Sequence, residues 1–358
     1  MKDSAPISQE LLQLKKESLT DSIGRRVIFY GDEIDLEKPT VYLRCPIPSY
    51  EKVILHLFSS ADHFQSIQIV YLDDQRYPNL PSEVINNCIQ RPNHTCIQIV
   101  DQIEASLPPK LAAYEDLEEP FNTIHITDGS QNFFSNFQQF GKNGTSIYAT
   151  DYVEMGCQMH LMPKSRINEL DQNHFEHYRL GAIKNERNDW EPLLRNHHIC
   201  LFDANVVKKA ELPAKENANP SGFSSEEAIQ LLRYAMVSPK MSFVTIYHIK
   251  SNESLDETTS IWTSQAIWYG IHGAENRAYE KPFNNENLVE FLIDTQILDY
   301  PLSFVKSKKT RRWWVKIPTR TSNYQDYLYL PCTESDYQQS RENRLPNRIV
   351  RAIARAQH

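Results

Sequence analysis

Glycine is scarce in this sequence, at 10 of 358 residues. The ligand loops of α/β enzymes tend to be rich in glycine, because glycine tolerates left-handed backbone and lets the chain approach a ligand closely. The stretch at 46–60, PIPSYEKVILHLFSS, contains no glycine at all. The chain nevertheless carries 18 tyrosines and 15 phenylalanines. This composition suits a large packed core and is unusual for an α/β enzyme.

Several other features are missing, and each absence narrows the class of protein. The six cysteines form no CxxC pair, which predicts reduced and mostly buried thiols. No apolar run reaches the roughly 18 residues of a membrane-spanning helix, and the first residues lack the apolar core of a signal peptide. The net charge of −8 argues against a nucleic-acid-binding role. We therefore expect a cytoplasmic protein without nucleic-acid or membrane partners.

One stretch, residues 196–237, organises the sequence. His198–Phe202 is a short apolar run typical of a strand covered on both faces, and it ends on the polar residues Asp203 and Asn205. A long loop leads to Ser224-Ser225-Glu226-Glu227, a capping box that begins a helix. Ligands of open α/β sheets bind where parallel strands end. The pattern predicts one strand–helix unit with polar groups at a possible binding edge.

Further elements follow from the periodicity of apolar residues and from turn residues. Strands are predicted at 40–45, 53–58, 66–72, 97–100, 122–127, 145–150 and 242–250, a buried helix at 261–272, and a hairpin over 304–317. A last helix behind Pro346 carries Arg348, Arg351 and Arg355 along one side. Residues 101–120, with six carboxylates, are predicted to be a solvated connector.

Four segments resemble the ureohydrolases, the superfamily of arginase, agmatinase and formimidoylglutamase. They are FDAN with the following ANPSGFSSEEAIQLLRYA, then IWYGIHGAENRAYEKPF, FVKSKKTRRWWVKIP and YLPCTESDYQ. The resemblance is closest to a divergent formimidoylglutamase-like branch and is poor before about residue 121. It implies a three-layer α/β/α sandwich with a mostly parallel sheet over residues 1–300. Residues 301–358 are expected to form a C-terminal extension packed on the same domain.

The resemblance also implies a metal site, and the sequence departs from it. Ureohydrolases hold two manganese ions through the motifs GGDHS, DxHxD and SFDxD, and the ions activate a bridging hydroxide. The corresponding segments here are DGSQN, DYVEM and LFDAN. Only Asp151 and Asp203 keep a charged donor, Gln131 and Asn205 are weak amide candidates, and Val153 and Met155 supply none. Each lost ligand lowers metal affinity by at least roughly 10–100-fold.

This loss of ligands favours a pseudoenzyme with no catalytic residues and no bound cofactor, acting as a binding or scaffold protein. The alternative is a manganese-dependent hydrolase of linear amidines such as formimidoylglutamate, agmatine or arginine, with Glu154 restoring one ligand through a shift in register. A sensor of small acidic molecules is a third interpretation without an identifiable motif. We expect Asp151 and Asp203 to lie together, with His248, at the family's glutamate position, supplying the missing positive charge.

The remaining signals concern partners. Trp313 and Trp314, with Arg311 and Arg312 beside them, indicate either a protein-binding edge or a core contact with stacked arginines. The resemblance includes this segment, which favours the core contact. The sequence leaves open a protein partner and a homo-oligomer.

Overall fold

The structure is a computed structural model that describes residues 9–46, 49–101, 103–131, 133, 149–250, 255–280, 285–319 and 327–357. In this part of the chain, a nine-stranded, wholly parallel sheet forms the centre. Its order across the sheet is β1-β3-β2-β4-β9-β8-β5-β6-β7. The strands are β1 (Ile28–Phe29), β2 (Thr40–Arg44), β3 (Gln68–Tyr71), β4 (His94–Ile99), β5 (Phe121–Ile126), β6 (Ala149–Cys157), β7 (Glu176–Arg179), β8 (Ile199–Asp203) and β9 (Phe243–Tyr247).

Helices cover both faces of this sheet, because its strands are apolar on both sides and must be shielded from water. In chain order they are α1 (Gln9–Glu17), α2 (Ile23–Arg26), α3 (Glu51–Ser59), α4 (Ser82–Gln90), α5 (Pro108–Asp116), α6 (Lys164–Gln172), α7 (Leu180–Asn185), α8 (Trp190–Arg195), α9 (Ser225–Val237) and α10 (Glu257–Glu275). Helices α3, α9 and α10 enclose one core, and α4, α5 and α6 enclose the other. The predicted three-layer α/β/α sandwich is confirmed.

A second, antiparallel sheet follows in the order β10-β11-β12-β13. It consists of β10 (Leu288–Ile293), β11 (Leu302–Ser307), β12 (Trp313–Pro318) and β13 (Tyr327–Cys332), followed by α11 (Glu334–Arg341) and α12 (Asn347–Gln357). The expected hairpin is present, since β11 and β12 pair with Phe304 opposite Val315. The expected boundary at residue 300 falls inside this sheet, because β10 pairs with β11 along its whole length.

Trp313 and Trp314 are buried, at 5% exposure each. The Trp313 ring stacks on Tyr337, and the Arg195 guanidinium lies 4.6 Å from the centre of the Trp314 ring. Arg195 also donates to the carbonyl of Trp313 at 3.0 Å. These contacts join α8 of the main domain to β12. The tryptophans therefore have the core role that the sequence analysis favoured.

Three sequence predictions are wrong at the level of elements. Residues 101–120 were predicted to be a solvated connector, but they contain α5, whose Lys110, Leu111 and Tyr114 are buried. Residues 53–58 were predicted as a strand and belong to α3, because Val53, Ile54, Leu57 and Phe58 fall at helical spacing and share one buried face. The strand predicted at 145–150 was expected to end at Asp151. Its first residues lie outside the described part of the chain, and β6 instead continues from Ala149 to Cys157.

All six cysteines are buried and free. Among the described residues, no helix is long and apolar enough to cross a membrane.

Candidate functional site

Three neighbouring strands deliver polar side chains to one edge of the parallel sheet. Asp203 ends β8, His248 follows β9 directly, and Asp128 lies two residues beyond the end of β5. Asp128 and Asp203 are fully buried, and His248 is 6% exposed. Because β5, β8 and β9 are parallel neighbours, their carboxyl ends meet at the same place. This cluster is the candidate functional site.

Asp203 is the centre of the cluster. Its Oδ1 accepts a hydrogen bond from the backbone N–H of Asn205 at 2.9 Å and lies 2.9 Å from Nδ1 of His248. The Thr127 hydroxyl is 3.5 Å from Oδ2. Burial raises the pKa of Asp203, and the contact with His248 opposes that rise. The carboxylate is thus held by donors from the protein itself.

His248 is the basic side chain that faces Asp203, as the sequence analysis expected. Its other ring nitrogen, Nε2, lies 3.4 Å from Oε2 of Glu216. Burial lowers the pKa of His248, but the hydrogen bond to Asp203 and the charges of Asp203 and Glu216 outweigh burial, so its pKa is raised. Its backbone adopts a φ of 62°, a conformation that costs a non-glycine residue about 1 kcal/mol or more. This turn aims the imidazole at the two acids.

The loop after β8 closes over the same edge. Asn217 donates from Nδ2 to Oδ2 of Asp128 at 2.8 Å, and its backbone N–H donates to Oδ1 of Asn205 at 2.9 Å. Ser130 donates its hydroxyl to Oδ1 of Asp128 at 2.6 Å. Lys215 is fully buried below the loop and donates to the carbonyls of Asn205 and Val207. Burial lowers the pKa of Lys215 to about 8, and the charges of Asp128 and Asp203 oppose this.

The expected pairing of Asp151 with Asp203 is wrong. Asp151 pairs with Asn122 near the start of β5 and β6, whereas Asp203 ends β8. The carbonyl of Asn122 accepts a hydrogen bond from the backbone N–H of His198, so Asn122 and its neighbour Asp151 lie level with His198. Asp203 lies about five residues further along the strand direction. At roughly 3.3 Å per residue this is about 16 Å along the sheet. Asp151 forms an ion pair with Arg355 of α12 at 3.2 Å.

Asp151 lies away from the strand ends because β6 accommodates charged residues in its interior. Asp151 is neutralised by Arg355, and Glu154 by Arg166 of α6, with Nε 3.2 Å from Oε2. Paired carboxylates of this kind do not end a strand. Val153 and Met155 therefore face the core inside the strand, and the motif alignment over 151–155 does not coincide with a strand end.

The true end of β6 carries different residues. Gly156, with a φ of 100°, makes a bulge in β6, and a Cβ there would lie 2.7 Å from Cγ2 of Val206. Gln158 follows, accepting from Asn219 at 3.0 Å and donating to the carbonyl of Ser221 at 3.3 Å. Gln131 lies exposed in the loop after Asp128. Of the four proposed metal ligands, the structure brings together Asp203 and Asn205.

A ladder of buried polar groups runs beneath the site, on one face of the sheet. Tyr247 OH lies 2.6 Å from Nε2 of His125, whose Nδ1 lies 3.1 Å from Tyr152 OH. Tyr152 donates to Oε1 of Glu154 at 2.9 Å. Glu154 ends the ladder against Arg166, so it is unavailable as a replacement ligand. Burial lowers the pKa of His125 well below its usual value.

These donors do not match a dimanganese site. Such a site requires several anionic oxygens and imidazoles that converge on the ions from different strand ends. Here the oxygens of Asp203 and Asp128 accept from protein N–H and O–H groups, and the neighbouring positions carry amides. No group of three or more His, Cys, Asp or Glu side chains in the described ranges has the arrangement needed to hold a metal.

Sequence reasoning missed Asp128, Lys215, Glu216 and Asn217. Asp128 lies in the DGSQN segment, in which the family motif places its histidine ligand at Gln131. The other three lie in the stretch AKENANP of the long loop after β8. Their polarity is visible in the sequence, but that they fold back over the strand ends is decided by tertiary contacts.

No protein-family model matches the chain, and no curated protein does. Solved structures do match. A manganese-bound formiminoglutamase of Trypanosoma cruzi is similar with a TM-score of 0.56 at 11% identity, over 70% of this chain and 97% of that one. The formimidoylglutamase of Bacillus subtilis is similar with a TM-score of 0.55 at 9% identity, over 78% of this chain and 97% of that one. These similarities establish that the chain has the ureohydrolase fold.

Proposed function

We propose that this chain is a non-catalytic binding or scaffold protein built on the ureohydrolase fold. The observation that carries the proposal is the 2.9 Å contact between His248 Nδ1 and Asp203 Oδ1. An imidazole with a raised pKa at this position supplies, from within the chain, positive charge beside a buried carboxylate.

The buried lysine supports the same conclusion. Lys215 lies under the loop that carries Glu216 and Asn217, and its charge interacts with those of Asp128 and Asp203. Two side-chain cations thus balance the acids of the cluster. In a metal-dependent hydrolase the positive charge comes from ions that also lower the pKa of the attacking water. Neither an imidazolium nor an ammonium replaces that second role, so we expect no hydrolytic nucleophile here.

A scaffold acts through partners, and we propose a protein partner in the cytoplasm. The acidic net charge of −8 supports this choice over nucleic acid. Association of copies of the chain remains part of the proposal, since a homo-oligomer would present the same surface more than once.

The competing proposal is a manganese-dependent hydrolase of a linear amidine. It is favoured by the similarity to a formiminoglutamase whose structure contains manganese. For this chain, it requires Asp203 to exchange His248 for a metal ion.

One experiment separates the two. The purified protein is dialysed against manganese and then against buffer, its metal content is measured by elemental analysis, and hydrolysis of arginine, agmatine and formimidoylglutamate is assayed. We expect far less than one ion per chain and no turnover above background. About two ions per chain, as in two-metal hydrolases, together with turnover abolished by Asp203→Ala, would establish the hydrolase instead.

A further inference from the structure

A cavity of about 200 Å³ lies at a different place on the same sheet edge. It is bordered by Arg44 at the end of β2, by Gln98 and Val100 at the end of β4, and by Ala105 and Ser106 in the loop before α5. Strand β3 lies on one side of β2, and strand β4 lies on the other side of β2. The order of the strands therefore reverses between β2 and β4. Open α/β sheets bind ligands at such reversals, outside the carboxyl ends of the strands.

Arg44 borders this cavity, and Lys110 lies behind Gln98 and Ser106 of its wall. Arg44 is 8% exposed, and its guanidinium donates to the carbonyls of Pro78 at 2.7 Å and Tyr77 at 3.4 Å. Lys110 is 1% exposed, and its ammonium donates to Gln98 Oε1, Ser106 Oγ and Thr245 Oγ1 at 2.8–3.0 Å. Within the described ranges, every hydrogen bond of these two groups ends on a neutral oxygen.

Burying unpaired charge is costly, and proteins normally match it with an opposite charge or lose the proton. Burial lowers the pKa of Lys110 to about 8, and its ammonium lies 5.4 Å from the centre of the Phe243 ring. A guanidinium does not lose its proton in proteins, and the hydrogen bonds of Arg44 to described residues end on carbonyl oxygens. The charge of Arg44 therefore favours an anion in the adjoining space.

Two side chains of the cavity wall, Arg44 and Gln98, carry hydrogen-bond donors. The contacts of Arg44 occupy Nε and Nη2, and Nη1 has no partner among the described residues. Gln98 accepts through Oε1 from both Lys110 and Ser106, which turns its amide Nε2 away from them. Carboxylates are bound by donor pairs of this kind, a guanidinium and an amide.

The opposite wall is apolar, and the space is small. Leu80, Ile85, Val100 and Pro109 border it. A volume near 200 Å³ corresponds to several water molecules at about 30 Å³ each. It suits a short carbon chain with one charged end.

We propose that this cavity is a binding site for a small monocarboxylate with a short apolar chain. The carboxylate pairs with Arg44 and Gln98, the charge of Lys110 stabilises it through Gln98 and Ser106, and the apolar chain contacts Leu80, Ile85 and Val100. The site is independent of the metal question, because none of its residues belongs to the cluster around Asp203.

The test uses butyrate as the probe, with inorganic phosphate and chloride as comparison anions. Binding is measured by isothermal titration calorimetry and by the shift in Tm at rising anion concentration. We expect saturable butyrate binding with a rise in Tm, and little effect of phosphate or chloride at equal ionic strength. No saturable butyrate binding to the wild-type protein, or a stronger effect of phosphate, would overturn the proposal.

Two variants locate the site. Arg44→Gln removes the principal donor, and Ala105→Phe fills the cavity from its exposed rim while leaving both cations in place. Each should weaken butyrate binding at least about tenfold, comparable to the loss of one charged hydrogen bond. The matched controls are Arg91→Gln at the surface and Ala112→Phe on the exposed side of α5. Butyrate binding that survives Ala105→Phe in a folded protein would place the ligand elsewhere and refute the assignment.

Discussion

His248 has a left-handed backbone conformation and forms a buried ion pair with Asp203. A substitution at this one position therefore removes the ion pair and changes the preferred backbone conformation. Its pKa is raised in the folded protein. A histidine of this kind stabilises the fold fully below its unfolded pKa of about 6.5, and the contribution is lost as the pH rises through the folded-state value. Stability should therefore be linked to the protonation of a single imidazole.

Replacing His248 by Gln should reveal this link. We expect the variant to be less stable than wild type by about 1.5–3 kcal/mol at pH 6, the value of a hydrogen bond to a charged group. The difference should shrink as the pH rises from about 6.5. Urea unfolding at a series of pH values measures it, with His63→Gln at an exposed position as the control. A difference that stays constant from about pH 6 to pH 9 would contradict the charge-pair interpretation.

Glu154 and Arg166 form a second buried pair, at 0% and 2% exposure. Removing one partner leaves the other charge unpaired in the core, which costs about 3–5 kcal/mol. We expect Glu154→Leu and Arg166→Met to lower the free energy of unfolding by that amount singly. The double variant should recover most of the loss, because it leaves no unpaired charge. Chemical denaturation of the four proteins gives the coupling energy, and strictly additive losses would show that the pair acts through something other than mutual neutralisation.

Helix α12 connects the two sheets, since its two sides contact different layers. Ile349, Ala352 and Ile353 pack in the core of the antiparallel sheet. On the other side, Arg351 pairs with Asp171 at 2.6 Å and Arg355 with Asp151 at 3.2 Å. Of the three arginines along this helix, Arg351 and Arg355 thus contact α6 and β6, whereas Arg348 lies 3.6 Å from Asp336 of α11. The pairing of Arg355 with Asp151 explains why a carboxylate near the start of β6 is tolerated.

Arg355→Met should destabilise the protein by about 1.5–3 kcal/mol, because Asp151 and Glu176 lose their shared cation. The measurement is urea unfolding beside Arg344→Met, which removes an exposed ion pair with Glu342. The control should change stability by no more than about 0.5 kcal/mol. If both variants behave alike, α12 does not depend on this contact for its position.

At the scale of the whole molecule, buried cores lie on both faces of the sheet, and the reactivity of the cysteines measures how well they are closed to solvent. All six thiols are buried. Burial raises the pKa of Cys45, Cys88 and Cys157 well above the usual value, so the reactive thiolate is suppressed. We expect a thiol reagent such as dithionitrobenzoate to label the native protein slowly and all six cysteines rapidly in urea. Rapid labelling of a native thiol would show local opening of the layer that contains it.

The layered architecture could be predicted from the sequence through the resemblance of four segments to the ureohydrolases, and the apolar runs of strand length agree with it, because such runs bury their surface in a parallel sheet covered on both faces. The same resemblance placed His248 near Asp203, and the two side chains meet because the neighbouring parallel strands β8 and β9 bring their carboxyl ends to one edge. The spacing of the apolar residues in 53–58 is compatible with helix α3. The prediction of a strand there is wrong because a short apolar run fits either element.

The other features depend on contacts between segments that are distant along the chain. Whether β6 ends at Asp151 or continues to Cys157 depends on Arg166 and Arg355, cations 12 and 204 residues away along the chain from the carboxylates Glu154 and Asp151 that they neutralise. The position of Lys215 beneath the site and the open cavity beside Arg44 likewise depend on loops that fold back over the strand ends. A charge in a sequence shows that a partner is needed, but the partner itself is chosen by contacts between distant segments, because burial makes an unpaired charge too costly to retain.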